Sequence, residues 1–245
     1  MTYQNAVVTG GSRGIGAAIV RRLRGRGMEV HALARPSDDL TAIATETGAI
    51  AHPMDITATS DLSTLIHRIQ PDVLVNNAGV LPQLTEFPAL APDTIDQSID
   101  VNLRAALHAT RAALGPMTAA GHGHIFLVGS IAGRIPSPHL AVYSATKAAL
   151  HMFGDVLRLD LLGTGIRVTT VLPGRVETNI YDEALGGHEA AEATLYVGAE
   201  AVQPDDVARA VTAALDMPPN VDTTLVELLP TRQAYGGNQL ARDDG

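Results

Sequence analysis

Seven short runs of β-branched and aliphatic residues punctuate the chain: NAVVTG, EVHALAR, AIAHPMD, DVLVNNAG, HIFLVGS, IRVTTVLPG and TTLVELLP. Several are apolar at successive positions instead of alternate ones. Such continuity is what a parallel strand shows when helices cover both of its faces. Between the runs lie longer stretches with apolar residues three and four apart, the period of a helix with one buried stripe. This spacing predicts helices over 14–26, 37–47, 59–69, 92–120, 141–162 and 204–216. Alternation of strand and helix predicts repeated βα units, a mostly parallel sheet and the doubly wound (Rossmann) α/β class.

No Pro/Gly/Ser-rich linker or internal repeat divides the 245 residues, so 1–245 is expected to form one domain. The segment 178–202 is rich in Ala and Glu but interrupted by Gly186, Gly187 and Gly198. Two short helices on an excursion fit that pattern better than one long helix. Residues 231–245, TRQAYGGNQLARDDG, are polar and glycine-bearing and are expected to form a flexible tail.

Composition removes several classes of function. The apolar runs fall short of the roughly 18 residues that a membrane span needs, so no membrane partner is expected. MTYQNAVVTG passes almost directly into the first apolar run, which leaves no room for a cleavable leader. A cytoplasmic protein is the expectation. The absence of cysteine excludes disulfides, thiolate catalysis and cysteine-bound metal. A formal charge of −9 disfavours nucleic acid as a partner. The one basic cluster, RRLRGRG at 21–27, falls on the second half of a predicted helix, where a solvated face explains it. GHGH at 121–124 reads as a glycine turn, without further ligands at metal spacing, so no metal is expected.

The first strand ends in TGGSRGIG, Thr9 to Gly16, and a helix begins there. Strand, glycine-rich turn and helix together form a site for a pyrophosphate, which sits against exposed N–H groups at the helix N-terminus. Gly10, Ser12, Arg13, Ile15 and Gly16 are the candidate contacts in this turn. The second strand ends in Ala34 and Arg35, a small residue and a cation, where an acid would mark selection of NAD. Arg13 and Arg35 can converge on a 2′-phosphate, because the guanidinium fork matches phosphate oxygens, and this favours NADP(H). After the third strand, Asp55 is a candidate acceptor for an adenine amino group, with Ile56 giving a backbone contact. Asp55 as a cap for the helix at 59–69 is the other reading, and the two are compatible.

Tyr143 and Lys147 stand four apart on the predicted helix 141–162 and so project from one face. Lys147 is the only lysine of the chain; the other sixteen basic residues are arginine. A tyrosine is a weak base at neutral pH, and a nearby ammonium is expected to lower its pKa toward the working range. The fifth strand ends in Gly129 and Ser130, and the loop that follows is long enough to bring Ser130 and Tyr143 to one carbonyl.

With these residues the sequence resembles the short-chain dehydrogenases/reductases. The matching motifs are TGGSRGIG at 9–16, NNAG at 76–79, Ser130, YSATK at 143–147 and PGRVET at 173–178, in family order. The resemblance implies strand order 3-2-1-4-5-6-7 and a nicotinamide-dependent oxidoreductase. It implies Tyr143 as general acid/base, Lys147 lowering its pKa and holding the nicotinamide ribose, and Ser130 steadying the substrate oxygen. Asn102 matches the residue that helps hold a water chain to the lysine. Asn77, Ala78 and Gly79 would pass the adenosine ribose, while Pro173, Gly174, Val176 and Thr178 would hold the nicotinamide. It also implies a dimer or tetramer, paired through the helices at 92–120 and 141–162 and again through the seventh strand.

The loops 80–90, 131–140 and 178–202 are expected to line the substrate pocket. Their readable residues, Leu81, Ile131, Ile135, Ile180, Tyr181 and Leu185, are mainly apolar, while Arg134 and Arg175 can each offer one contact to an acid. A small, neutral, moderately apolar ketone or aldehyde, reduced in biosynthesis, is the expected substrate. The closing ELLPTRQ differs from the glycine-rich ending of β-ketoacyl-carrier reductases and looks closer to members acting on small aldehydes or secondary metabolites. An oxidative alcohol dehydrogenase and an NADP-sensing regulator without chemistry are the alternatives.

Overall fold

The computed structural model describes residues 3–195 and 200–232. Seven parallel strands run β1 (Asn5–Thr9), β2 (Glu29–Ala34), β3 (Ile50–Pro53), β4 (Val73–Asn76), β5 (Gly123–Val128), β6 (Ile166–Pro173) and β7 (Leu225–Leu228). They lie in the order β3-β2-β1-β4-β5-β6-β7, all pairs parallel. The chain moves outward from β1 to β3, then crosses back to place β4 on the other flank of β1. That reversal opens a crevice at the carboxyl ends of β1 and β4.

Each central strand divides its residues between two apolar layers, which is why the runs read as continuously hydrophobic. On β1, Ala6 and Val8 enter one core and Val7 the other. On β5, Phe126 and Val128 face the first layer while Ile125 and Leu127 face the second. The first layer is closed by α1 (Gly14–Gly25), α2 (Asp38–Thr47) and α9 (Pro204–Leu215) through Ile19, Leu23, Ile43 and Val211. The second is closed by α3 (Thr59–Ile69), α5 (Ala105–Ala120) and α6 (Ala141–Asp160) through Leu62, Ala109 and Leu150. Full burial of a Leu or Ile side chain contributes about 1.5–3 kcal/mol, so the two layers together commit the sheet to this sandwich. Among the described residues no helix is long and apolar enough to cross a membrane.

The basic cluster is a surface of ion pairs. Arg21 meets Glu46 on α2, Arg22 meets Asp205 on α9, and Arg26 meets Asp216 just beyond it. Arg24 instead donates to the backbone carbonyls of Thr47 and Met28.

The helix predicted over 92–120 is a correction. It is divided into α4 (Pro92–Ile99), a π-helical turn (Asp100–Arg104) and α5. The wide turn takes up an extra residue and carries Asn102 into the interior, 1% exposed. After β6 a 3-10 turn (Asn179–Tyr181) leads into α7 (Asp182–Leu185) and α8 (His188–Leu195). This excursion is closed at its base by a parallel bridge between Val176 and Val202. Part of the predicted tail, 233–245, and residues 196–199 of the excursion lie outside the described residues.

Candidate active site

At the carboxyl ends of the strands a cavity of about 710 Å³ opens along the crevice. One end is built by the glycine turn between β1 and α1. Gly10 has φ +65, a conformation that favours glycine, and a Cβ on it would lie 2.9 Å from the Ala78 Cα. A Cβ on Gly16 would lie 2.0 Å from the Gly10 carbonyl oxygen, so Gly16 sits behind the turn and lets α1 start close to it. Gly10, Ser12, Arg13 and Ile15 line the cavity. The turn is tied to β4: the Asn77 side-chain amide donates to the carbonyls of Thr9 and Gly10 at 3.0 and 3.2 Å. The Thr9 hydroxyl in turn accepts from the Asn77 and Ala78 backbone N–H groups at 3.0 and 3.1 Å.

Ala34 and Arg35 line the same cavity as Arg13, and both arginines are exposed to solvent. Ser37 caps α2 beside them, accepting from the Leu40 N–H. Asp55 and Ile56 line the next stretch. Asp55 does not cap α3, whose N-cap is Ala58. Its Oδ1 accepts from the Thr57 N–H and hydroxyl at 2.9 and 2.8 Å, and these bonds, with Arg35 nearby, hold the carboxyl below its ordinary pKa. Ala78 and Gly79 continue the wall. The set fits a dinucleotide: glycines that let the turn pack tightly ahead of α1, N–H groups at a helix start, and two cations, Arg13 in the turn and Arg35 directly after β2.

At the other end lie Ser130, Tyr143 and Lys147, with Pro173, Gly174, Val176 and Thr178 along the exit of β6. The Thr178 methyl is 3.3 Å from where a Gly14 Cβ would stand, so this exit packs against the glycine turn. Ser130 follows β5 and caps a 3-10 turn (Ile131–Gly133), its hydroxyl accepting from the Ala132 N–H at 3.2 Å. Lys147 is 3% exposed; its ammonium donates to the Val128 carbonyl at 2.9 Å and lies 5.7 Å from the centre of the Tyr143 ring.

Burial sets the electrostatics. It pulls the Lys147 ammonium down to about 8. It pushes the Tyr143 phenol above its ordinary value, Tyr181 adds to that, and a hydrogen bond with Ser130 pulls it back in part. This differs from the expectation of a phenol lowered by its lysine: loss of water around the ring outweighs the neighbouring groups.

Asn102 stands behind this end and does not line the cavity. Its Oδ1 accepts from the Val80 N–H at 2.7 Å, and its Nδ2 donates to the Val80 carbonyl at 3.0 Å and the Thr146 hydroxyl at 3.3 Å. It thus ties the strand-4 exit to α6 one residue before Lys147. Of the loop residues expected in the pocket, Ile180 and Tyr181 line the cavity, while Leu81 is 4% exposed and packed away. Arg134 is paired with Glu227 at 2.7 Å, which corrects its reading as a substrate contact. His124 of the GHGH segment is fully buried against Thr169 and stacked on Phe126.

Sequence reasoning missed Gly133, where a Cβ would lie 2.7 Å from the Lys147 carbonyl carbon and 2.8 Å from the Ala148 nitrogen. The turn after Ser130 therefore rests directly on the backbone of α6. It also missed Thr9, whose hydroxyl organises the strand-4 exit, and Thr146 on α6, whose hydroxyl accepts from Asn102; a threonine at a strand end or inside a helix carries no distinctive signal.

Residues 4–187 match the sequence model described as short chain dehydrogenase. An uncharacterized short-chain type dehydrogenase/reductase, y4eK, of Sinorhizobium fredii is 43% identical over 98% of this chain and 96% of its own length. Sulfoacetaldehyde reductase 2 of Chromohalobacter salexigens is 34% identical over 97% and 98%. Among solved structures, the closed form of a serine dehydrogenase complexed with NADP+ superposes with a TM-score of 0.91. It is 32% identical and covers 98% of this chain and 100% of that one.

Proposed function

The chain belongs to the short-chain dehydrogenase/reductase family, and from that premise we propose an NADP(H)-dependent oxidoreductase that interconverts a small carbonyl compound and its alcohol. One observation carries the reading: a single cavity holds Ser130, Tyr143 and Lys147 at one end and Arg13 with Arg35 at the other. When bound, the nicotinamide supplies hydride in reduction and accepts it in oxidation.

Tyr143 gives a proton from its hydroxyl to the substrate oxygen in reduction and takes one in oxidation. A phenol raised by burial stays protonated at neutral pH, which suits the acid role. Ser130, hydrogen-bonded to that phenol, steadies the same oxygen. Lys147 holds the nicotinamide ribose hydroxyls, and Asn102 fixes the backbone on either side of it through Val80 and Thr146. Gly10, Ser12, Ile15 and Gly16 form the pyrophosphate cradle, and Arg13 and Arg35 hold the 2′-phosphate. Asp55 and Ile56 meet the adenine, Asn77, Ala78 and Gly79 its ribose, and Pro173, Gly174, Val176 and Thr178 the nicotinamide. Carbonyl reduction in a cytoplasmic biosynthetic setting is the direction we favour.

Two substrate readings remain, each with its own observation. Val80 and Ile180 in the wall, and an Arg134 already paired with Glu227, support a neutral, moderately apolar ketone or aldehyde. The relatives named for sulfoacetaldehyde and for serine support a small acid. In both molecules one carbon separates the oxygen-bearing carbon from the acid group. Met152, Val156 and Leu159 recur at helical spacing on the exposed face of α6, which supports self-association as a dimer or tetramer.

Dissociation constants for NADPH and NADH, followed by NADPH oxidation with a panel of aldehydes and ketones, test the reading. Tighter NADPH and turnover of at least one carbonyl compound are expected; tighter NADH, or binding without any turnover, contradicts it.

A further inference from the structure

A second phenol shares the cavity with the first. Tyr181 ends the 3-10 turn that follows Thr178, and it lines the cavity together with Ser130 and Tyr143. The backbone that carries it is pinned: the Val202 N–H donates to the Arg175 carbonyl at 3.1 Å, and the Glu177 N–H donates to the Val202 carbonyl at 3.0 Å. Tyr181 therefore enters from a clamped strand exit. Tyr181 is near enough to raise the Tyr143 phenol, and the charge of Arg175 reaches Tyr181 in turn.

We propose that Tyr181 is a specificity-determining residue, whose hydroxyl binds an acidic oxygen of the substrate while Ser130 and Tyr143 hold the reacting one. The substrate class is then a small carbonyl compound with a carboxylate or sulfonate one carbon from the carbonyl. This rests on the NADP(H)-dependent reading above and selects the second of its two substrates.

The chemistry of the wall argues for it. Burial keeps the Tyr181 phenol protonated, so it acts as a donor, and an oxyanion is the acceptor that gains most from a neutral donor. The positive charge of Arg175 acts on the phenol, and Arg175 does not stand in the cavity wall. That placement favours an anion yet spares the site a bare cation beside Lys147. The apolar Val80 and Ile180 in the same wall suit a hydrocarbon link between the two oxygen groups.

The test compares two isosteric pairs with NADP(H) at neutral pH: acetoacetate against 4-methylpentan-2-one, and 3-hydroxybutanoate against 4-methylpentan-2-ol. The wild-type protein is expected to prefer the acid in kcat/KM. Tyr181→Phe is expected to lower the acid-to-neutral ratio about tenfold to hundredfold, the worth of a hydrogen bond to a charged group, and chiefly through KM. Arg175→Gln moves the ratio the same way. A ratio unchanged in Tyr181→Phe, or a wild-type preference for the neutral isostere, overturns the proposal. If neither pair turns over, preference is read from stabilisation of the NADP+ complex by acetoacetate and 4-methylpentan-2-one. Absence of any preference for the acid there also overturns it. NADPH binding is followed on the same samples. Its absence in the wild type removes the underlying reading, whereas intact binding without acid preference removes this proposal alone.

Discussion

The ammonium of Lys147 donates to the carbonyl of Val128 at 2.9 Å, two residues before Ser130 on the neighbouring strand. One buried bond thus joins the helix that carries Tyr143 to the strand that delivers Ser130, and it fixes the charge 5.7 Å from the Tyr143 ring.

Burial lowers Lys147 from its ordinary 10.5 to about 8, so the folded protein loses this charge as pH rises through about 8. If the ammonium serves the reaction, kcat/KM for reduction falls across that pH, and Lys147→Arg, slower overall, lacks this limb because arginine stays charged. A limb that persists unchanged in Lys147→Arg contradicts the assignment. The same shift acts on stability. Between about 8 and 10.5 the unfolded chain binds the extra proton, so this group's contribution grows as pH rises and is lost as pH falls through about 8. Urea unfolding of wild type and Lys147→Met at several pH values should show that difference; parallel curves would count against it.

Arg13, in the turn before α1, and Arg35, directly after β2, both line the cavity. Replacing each with Ala is expected to weaken NADPH about tenfold or more while changing NADH little, since a hydrogen bond to a charged group is at stake. Fluorescence titration with both nucleotides checks it. Equal losses for NADPH and NADH would show that the arginines do not read the phosphate.

Asn102→Ala removes three hydrogen bonds and leaves the half-buried Val80 N–H and carbonyl without their side-chain partner. A destabilisation of about 1–3 kcal/mol is expected. For a protein of this size, that lowers Tm by several degrees, at about 2–4 °C per kcal/mol. Calorimetry at neutral pH measures it, and an unchanged Tm would mean that the π-helical turn is held by other contacts.

At Gly133 any Cβ meets the backbone of Lys147 and Ala148 at 2.7 and 2.8 Å. Gly133→Ala is expected to push the Ser130 turn away from α6 and to lower kcat more than tenfold, because misplacement by about 1 Å at a reacting centre can cost a hundredfold. Single-turnover kinetics reports it; wild-type kcat would show that the turn yields without moving Ser130.

Much of this was legible in the sequence, for physical reasons that differ from place to place. The parallel strands declared themselves because Ala6, Val7 and Val8 are all buried, on alternating faces. The glycine turn was legible because Gly16 leaves no space for a side chain. The π-helical turn was not, since an extra residue at 100–104 leaves the apolar spacing on either side helical. Arg134 read as an available cation because its partner, Glu227, lies 93 residues away. The Tyr143 phenol was expected to fall and instead rises, because spacing on a helix reports which residue is near but not how much water is excluded.

The account turns on Tyr143 as the group that exchanges a proton with the substrate oxygen, and Tyr143→Phe tests it most directly. Turnover of whichever carbonyl compound the wild type reduces is expected to fall at least about a hundredfold. The NADPH dissociation constant and Tm are expected to stay near wild type. Undiminished turnover in a folded, NADPH-binding Tyr143→Phe protein would contradict the account.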